Sequence, residues 1–214
     1  MSYCYEYPHP AVTTDVVAFT VIRDDLQVLL IRRARPPYRG AWALPGGFIN
    51  PDETLEECVR RELEEETGID DVFMEQLHTF SAPDRDPRER VITTAYYALV
   101  PPNRQEIRGA SDAAEARWFA LEGLPPLAFD HAHIVRTARA RLVEKLEDPA
   151  TAFRLVLDVF TLSDLQRVHE AILGVAIDKR NFRKKILGQG LIEETGAKRQ
   201  CGAHRPAMLH RVIE

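Results

Sequence analysis

Three glutamates on the apolar side of a helix constrain this chain more than any other feature. Residues 47–69 read Gly-Phe-Ile-Asn-Pro-Asp-Glu-Thr-Leu-Glu-Glu-Cys-Val-Arg-Arg-Glu-Leu-Glu-Glu-Glu-Thr-Gly-Ile. Asp52 is placed to cap a helix with Glu53 in its first turn, and Gly68 to close it. On a wheel of about 100° per residue with Leu55 at zero, Cys58, Val59 and Leu63 mark the core side. Glu56, Glu57, Arg60 and Glu64 gather between roughly 100° and 200°, an ordinary solvated face. Glu62, Glu65 and Glu66 instead land inside or beside the apolar stripe. The competing reading, an acidic surface helix, fails because the solvated face is already elsewhere. Three crowded, half-buried carboxylates repel one another unless a positive charge neutralises them. A hard divalent cation with oxygen ligands, Mg²⁺ or Mn²⁺, is the simplest candidate.

The segment resembles the Nudix box, Gly-x5-Glu-x7-Arg-Glu-(apolar)-x-Glu-Glu-x-Gly-(apolar). Gly47, Glu53, Arg61, Glu62, Leu63, Glu65, Glu66, Gly68 and Ile69 fill its fixed positions. The resemblance implies a strand-loop-helix-loop unit with Glu62, Glu65 and Glu66 on the metal and Arg61 paired with Glu53 to orient the cluster. It also implies hydrolysis of a nucleoside diphosphate linked to another group. The lead-in Ala41-Trp42-Ala43-Leu44-Pro45-Gly46-Gly47 resembles relatives that bind ADP-ribose or similar dinucleotides.

Substrate contacts are open to two readings each. Trp42 or Phe48 is placed to stack on a base, or to pack in the core. In the polar loop Asp84-Arg85-Asp86-Pro87-Arg88-Glu89-Arg90, Arg85 and Arg88 can grip a pyrophosphate by bidentate bonds, or form a solvated turn. For the general base, a box glutamate competes with a loop residue. Glu115 is the preferred loop candidate, by its place in relatives, with Asp112 and Glu122 as competitors.

Charge divides the chain. Residues 1–150 carry 17 Lys and Arg against 26 Asp and Glu, net −9; residues 151–214 carry 11 against 7, net +4. An acidic body joined to a basic module predicts two domains, 1–150 and 151–214, with different partners. Strands are expected at Thr13–Ile22, Gln27–Ile31, Phe73–Phe80, Ile92–Val100 and Arg117–Leu121. A helix is expected after Asp130, with Val135, Ala138, Leu142 and Leu146 inward. Arg154–Phe160 reads as a strand or a buried helix. An α/β fold results, and the family resemblance implies an α/β/α sandwich. With no long apolar run or signal-like N-terminus, and three widely spaced cysteines, a cytoplasmic protein without membrane contact is expected.

In the basic module, Ser163-Asp164-Leu165-Gln166 predicts a helix start, with Leu165, Val168 and Ile172 on one face. Gly174 permits a turn, and Asp178 can cap a second helix whose buried pair is Phe182 and Ile186. Lys179, Arg180, Asn181, Arg183 and Lys184 then project away from the core. A hairpin of Leu191–Thr195 with Ala207–Ile213 would carry Lys198, Arg199 and Arg205 at its tip. Helix, turn, basic helix and basic hairpin is winged helix-turn-helix order, suited to double-stranded DNA.

Phe160–Gln166, Asp178–Ile186 and His204–Ala207 resemble the C-terminal winged helix of Nudix-related regulators of NAD metabolism (NrtR-like). That resemblance implies a homodimer on a near-palindromic operator, with ADP-ribose or a related nucleotide as effector. The alternative is an ADP-ribose pyrophosphatase in which this module is secondary. A third reading, an RNA-processing pyrophosphatase, is disfavoured because the basic hairpin has no interleaved aromatics to stack on unpaired bases.

Overall fold

A computed structural model describes residues 6–107, 113–200 and 206–213. β1 (Ala11–Ile22) is the spine of the first unit. Its run Val16–Phe19 has no exposed surface on either face, as a continuous apolar strand requires. β1 runs parallel to β6 (Val91–Leu99) and antiparallel to β2 (Asp25–Arg33), with β5 (Phe73–Phe80) at the outer edge beyond β6. β2 also pairs with β3 (Trp42–Ala43) and β7 (Ala113–Ala120), and β4 (Gly46–Phe48) lies along the start of β1.

Alternation along β1 sorts its side chains between two helices. Val16 and Ala18 meet α1 (Leu55–Thr67) through Val59 and Leu63. Val17 and Phe19 face the side packed by Ile134, Ala138 and Leu142 of α2 (His131–Lys145). Sheet between helices is the α/β/α sandwich expected. Full burial of a side chain such as Phe19 or Leu29 contributes roughly 1.5–3 kcal/mol.

α1 ends at Gly68 in the left-handed conformation, as expected, but begins at Thr54 rather than Asp52. Thr54 Oγ1 accepts the Glu57 amide at 3.2 Å, and Glu57 returns a carboxylate to the Thr54 amide at 2.8 Å. Asp52 is followed three residues later by Leu55, which has nothing to return, so the reciprocal pair wins. The same correction applies at α4 (Leu162–Leu173). Thr161 with Asp164 forms the capping box, and the helix starts ahead of Ser163.

The second unit is a winged helix. Around α3 (Pro149–Phe153), α4 and α5 (Lys179–Gly188), β8 (Phe160–Thr161) pairs with β10 (Ala207–Val212), which pairs with β9 (Ile192–Arg199). Arg154–Phe160 is neither the strand nor the helix anticipated. It is a turn that buries Leu155 and Val156 and leads into the short β8. β9 continues past Thr195, so Lys198 and Arg199 belong to a strand instead of a tip.

Both units share one apolar cluster, running from Val28 and Leu30 of the sheet through Ala138 and Leu142 to Leu165, Val168, Phe182 and Ile186. Polar ties reinforce it. Arg167 of α4 lies 3.6 Å from Asp24 in the β1–β2 turn, and the Arg154 guanidinium stands 3.8 Å above the Phe73 ring. No helix among the described residues is long and apolar enough to cross a membrane.

Candidate functional site

β4, the C-terminal half of α1 and the loop after β5 line a cavity of about 590 Å³. The Gly46-Gly47 pair lets the helix carboxylates approach the backbone. Gly46 has φ +154° and donates its amide to Glu66 Oε2 at 3.0 Å. A Cβ on Gly47 would stand 2.1 Å from Glu62 Oε1, so any larger residue there would displace the Glu62 carboxylate. Arg61 organises the cluster, bonding Glu53 at 2.6 and 2.9 Å, Glu62 at 2.7 Å and Glu65 at 3.3 Å. Its hydrogen bonds hold Glu53 down at about 2.

Glu66 is different. Burial, with Glu62 and Asp15 adding repulsion, pushes it up to about 8. Burial also raises Glu62. Among the described residues no three side chains are already gathered as a metal site, because Arg61 holds Glu62 and Glu65. The chemistry of the set nevertheless fits a hard divalent cation: all-oxygen donors, and in Glu66 a buried carboxylate that burial pushes up despite the nearby Arg33 charge.

The cavity floor is a buried polar network. Asp15 accepts from Thr93 Oγ1 at 2.7 Å and from Arg85 Nη2 at 3.4 Å. Arg85 also grips Asp130 at 2.7 and 3.1 Å. His131 Nδ1 accepts the Leu44 amide at 2.8 Å, which leaves the proton on Nε2, 3.4 Å from Asp15. Burial lowers the His131 pKa, consistent with a neutral ring. This network ties strand β1, the loop after β5 and the start of α2 into one unit.

A second candidate surface lies on the winged helix. Asp178 caps α5, accepting the Asn181 amide at 2.8 Å, and Phe182 and Ile186 anchor it inward. Lys179, Arg180, Asn181, Arg183 and Lys184 are all exposed. Among the described residues none of the four cations has a carboxylate partner, so their charge is available to an external polyanion.

Comparison with known proteins meets this geometry. The NUDIX domain model matches residues 12–138, and the NrtR DNA-binding winged helix domain model matches residues 152–212. The chain belongs to the Nudix family, in the branch that carries an NrtR winged helix. It is 38% identical over 212 residues to the ADPR responsive transcriptional repressor NtrR of Acinetobacter baylyi, covering 96% of this chain and 83% of that protein. The ADP-ribose pyrophosphatase of Methanocaldococcus jannaschii is 44% identical over 130 residues, 61% of this chain and 73% of that protein. The crystal structure of Shewanella oneidensis NrtR complexed with a 27mer DNA superposes with a TM-score of 0.81 at 36% identity, covering 94% of this chain and 93% of that one.

Within this Nudix unit the sequence-chosen residues separate. Arg61, Glu62, Glu65 and Glu66 line one cavity with Gly46, Gly47 and Phe48, and Glu53 stands behind them, bonded to Arg61. Arg85 lines it too, but its donors are committed to Asp130 and Asp15. Arg88 stands at the cavity, bound to the buried Asp86. Trp42 does not line it; the indole packs edge-on to Phe119, at 4.7 Å between centroids, beside the core. Glu115 is also outside: it pairs with Arg32 in register, ion-paired to Arg117 and Arg32. Arg33, the next residue and on the opposite face, is the one that lines the cavity.

In the winged helix, Lys198 is exposed, whereas Arg199 reaches back to Asp164 and Thr161 at the start of α4. Asp112 and Arg205 lie outside the described residues. Sequence reasoning missed Asp15, Asp86, Phe129 and His131. Only Asp15 left a signal, a lone carboxylate in the apolar run Thr-Asp-Val-Val.

Proposed function

We propose that this chain is a transcriptional regulator whose Nudix cavity takes ADP-ribose or a related NAD-derived nucleoside diphosphate, and whose winged helix binds operator DNA. The observation that carries this reading is one apolar core joining an acidic, nucleotide-sized cavity to an exposed basic helix. The names of the Acinetobacter and Shewanella relatives agree with it. The natural division is 1–150 and 151–214. A homodimer would present two α5 helices to half-sites about one helical turn apart, with Lys179, Arg180, Asn181, Arg183, Lys184, Lys198 and Arg205 toward DNA.

Nudix hydrolases act with divalent cations. Here Mg²⁺ or Mn²⁺ on Glu62, Glu65 and Glu66 would polarise a bound diphosphate. The protein's own groups do the rest. Arg61 holds Glu62 and Glu65 in place, the Gly46 amide fixes Glu66, and the glycine pair leaves room for the diphosphate. α2 links the sites: Asp130 and His131, where it begins, belong to the cavity network, while its apolar face joins α4 in the core.

A second reading, a pyrophosphatase with the winged helix in a secondary role, is favoured by the complete Glu53–Arg61–Glu62–Glu65–Glu66 cluster. Incubation with ADP-ribose and Mg²⁺, assayed for AMP and ribose 5-phosphate, tests retained catalysis. Turnover should vanish in Glu66→Gln and persist within about twofold in Glu115→Gln, whose carboxylate lies outside the cavity. ADP-ribose binding without product would mark a sensor. Loss of product in Glu115→Gln would restore that residue as the base.

A further inference from the structure

The wing strand is held at its two ends. Along β9 only Ile192 is buried, and Glu193 to Lys198 are exposed. Glu193 accepts from Arg211 Nε at 2.7 Å, and Thr195 Oγ1 donates to the Leu209 carbonyl at 3.2 Å, both within the hairpin. Arg199, the last residue of β9, instead reaches another element. Its guanidinium meets the Asp164 carboxylate and stands 3.5 Å from Thr161 Oγ1, at the start of α4. A strand that buries little side-chain surface has little packing to fix its angle, so this contact bears on how the far end sits.

Asp164 joins three elements. Its Oδ2 accepts the Thr161 amide at 2.8 Å and the Thr161 hydroxyl at 2.9 Å, closing the capping box of α4. Its Oδ1 accepts from Arg167 Nη2 at 2.5 Å, and Arg167 Nε lies 3.6 Å from Asp24 in the β1–β2 turn. That turn is tight. Ile22 pairs with Asp25, and the two residues between them, Arg23 and Asp24, have φ +52° and +68°, as a two-residue hairpin matched to strand twist requires. From the turn, β1 runs back to Asp15 in the cavity floor. Asp164, with a side chain 21% exposed, lines a cleft of about 180 Å³ with Arg167, Arg199 and Asp24, opposite Val21, Leu155 and Phe160. Its pairs are therefore less open to water and salt than ordinary surface pairs.

We propose that Asp164 is a positioning residue for DNA recognition, seating the wing through Arg199 and, through Arg167, setting that seat against the Nudix hairpin at Asp24. The inference rests on the DNA-binding reading of the winged helix. It gives Arg199 a part in DNA binding without contact to DNA. It also gives a carboxylate of the basic module a favourable role. By charge alone, removing a carboxylate from a module that binds a polyanion strengthens binding. Positioning predicts the opposite sign.

The test uses the full-length protein and a duplex it selects from a random-sequence library, read by anisotropy at one salt concentration. Asp164→Asn should weaken DNA binding about tenfold, although it removes a negative charge. Arg199→Gln should weaken it to a similar extent, and the double variant, with the net charge of the wild type, should lie within about twofold of either single one. Thr161→Ala removes the capping hydroxyl but keeps the carboxylate; it should lower the melting temperature and leave DNA affinity within about twofold. Asp24→Asn, which tolerates the left-handed turn, should weaken DNA binding about twofold to threefold. Tighter or unchanged binding in Asp164→Asn would overturn the proposal. So would multiplying losses in the double variant, which would make Arg199 a direct DNA contact. An Asp24→Asn variant equal to wild type would overturn the link to the Nudix hairpin. Should Asp164→Asn fail to fold, hydrogen exchange of Arg199→Gln carries the test: β9 amides should exchange at least about tenfold faster with β1 unchanged, and equal protection would overturn the seat. A wild-type protein that selects no duplex would refute the DNA-binding reading itself, and this proposal with it.

Discussion

Arg85 and Arg183 put the same guanidinium to opposite uses. Arg85 is sealed in the Nudix unit, its side chain 4% exposed and its donors bound to Asp130 and Asp15. Arg183 stands on α5, exposed, with no carboxylate partner among the described residues. A buried charge has one acceptable geometry, so its partners are set when the chain folds. An exposed charge costs nothing to fold and is screened by salt, so it acts in concert with its neighbours on a polyanion. Function is therefore separable on the winged helix and inseparable from stability at the cavity floor.

The largest effect should come from reversing charge on α5. Arg183→Glu with Lys184→Glu should weaken DNA binding at least about 100-fold, with melting temperature and ADP-ribose affinity unchanged. Fluorescence anisotropy and calorimetry on one preparation check both. A parallel loss of ADP-ribose affinity would break the separation.

Arg85→Ala should do the reverse and damage everything together. Removing one partner of a buried ion pair costs about 3–5 kcal/mol, so urea unfolding should shift strongly and both ligands should suffer. A variant that folds normally but binds nucleotide weakly would instead make Arg85 the pyrophosphate clamp expected at first.

The smallest effect is in pH. His131 lies among Asp15, Asp130, Arg85 and Arg33, and burial holds its folded pKa below the ordinary 6.5. Below 6.5 the unfolded chain takes up a proton that the folded ring resists. This contribution to stability is complete above 6.5 and is lost as pH falls toward the folded value. His131→Gln should flatten the fall in melting temperature between pH 6.5 and 5. An unchanged slope would place the titration elsewhere.

These contrasts also explain what was legible beforehand. α1 and α5 were, because apolar spacing and a C-cap or N-cap are local patterns: Val59, Leu63 and Gly68 in one, Asp178, Phe182 and Ile186 in the other. The carboxylates Glu62, Glu65 and Glu66 were visible for the same reason, as departures from a helical pattern. The caps slipped by two residues because neighbouring cap candidates compete, and the reciprocal Thr54–Glu57 and Thr161–Asp164 pairs prevailed. The floor network was illegible, since Asp15, Arg85, Thr93 and Asp130–His131 are brought together only by the sheet. Arg199 shows the complementary limit. A basic residue near a hairpin tip reads as a DNA contact until the fold places Asp164 beside it.

The central claim is that occupancy of the Nudix cavity and occupancy of the winged helix are coupled through one shared core. It is tested most directly by titrating the full-length protein with a DNA duplex selected by that protein from a random-sequence library, with and without saturating ADP-ribose. The account predicts a change in DNA affinity of at least about fivefold, and by linkage the same factor in ADP-ribose affinity when DNA is present. If both ligands bind while neither alters the affinity of the other, the two units are independent and the regulatory reading is wrong.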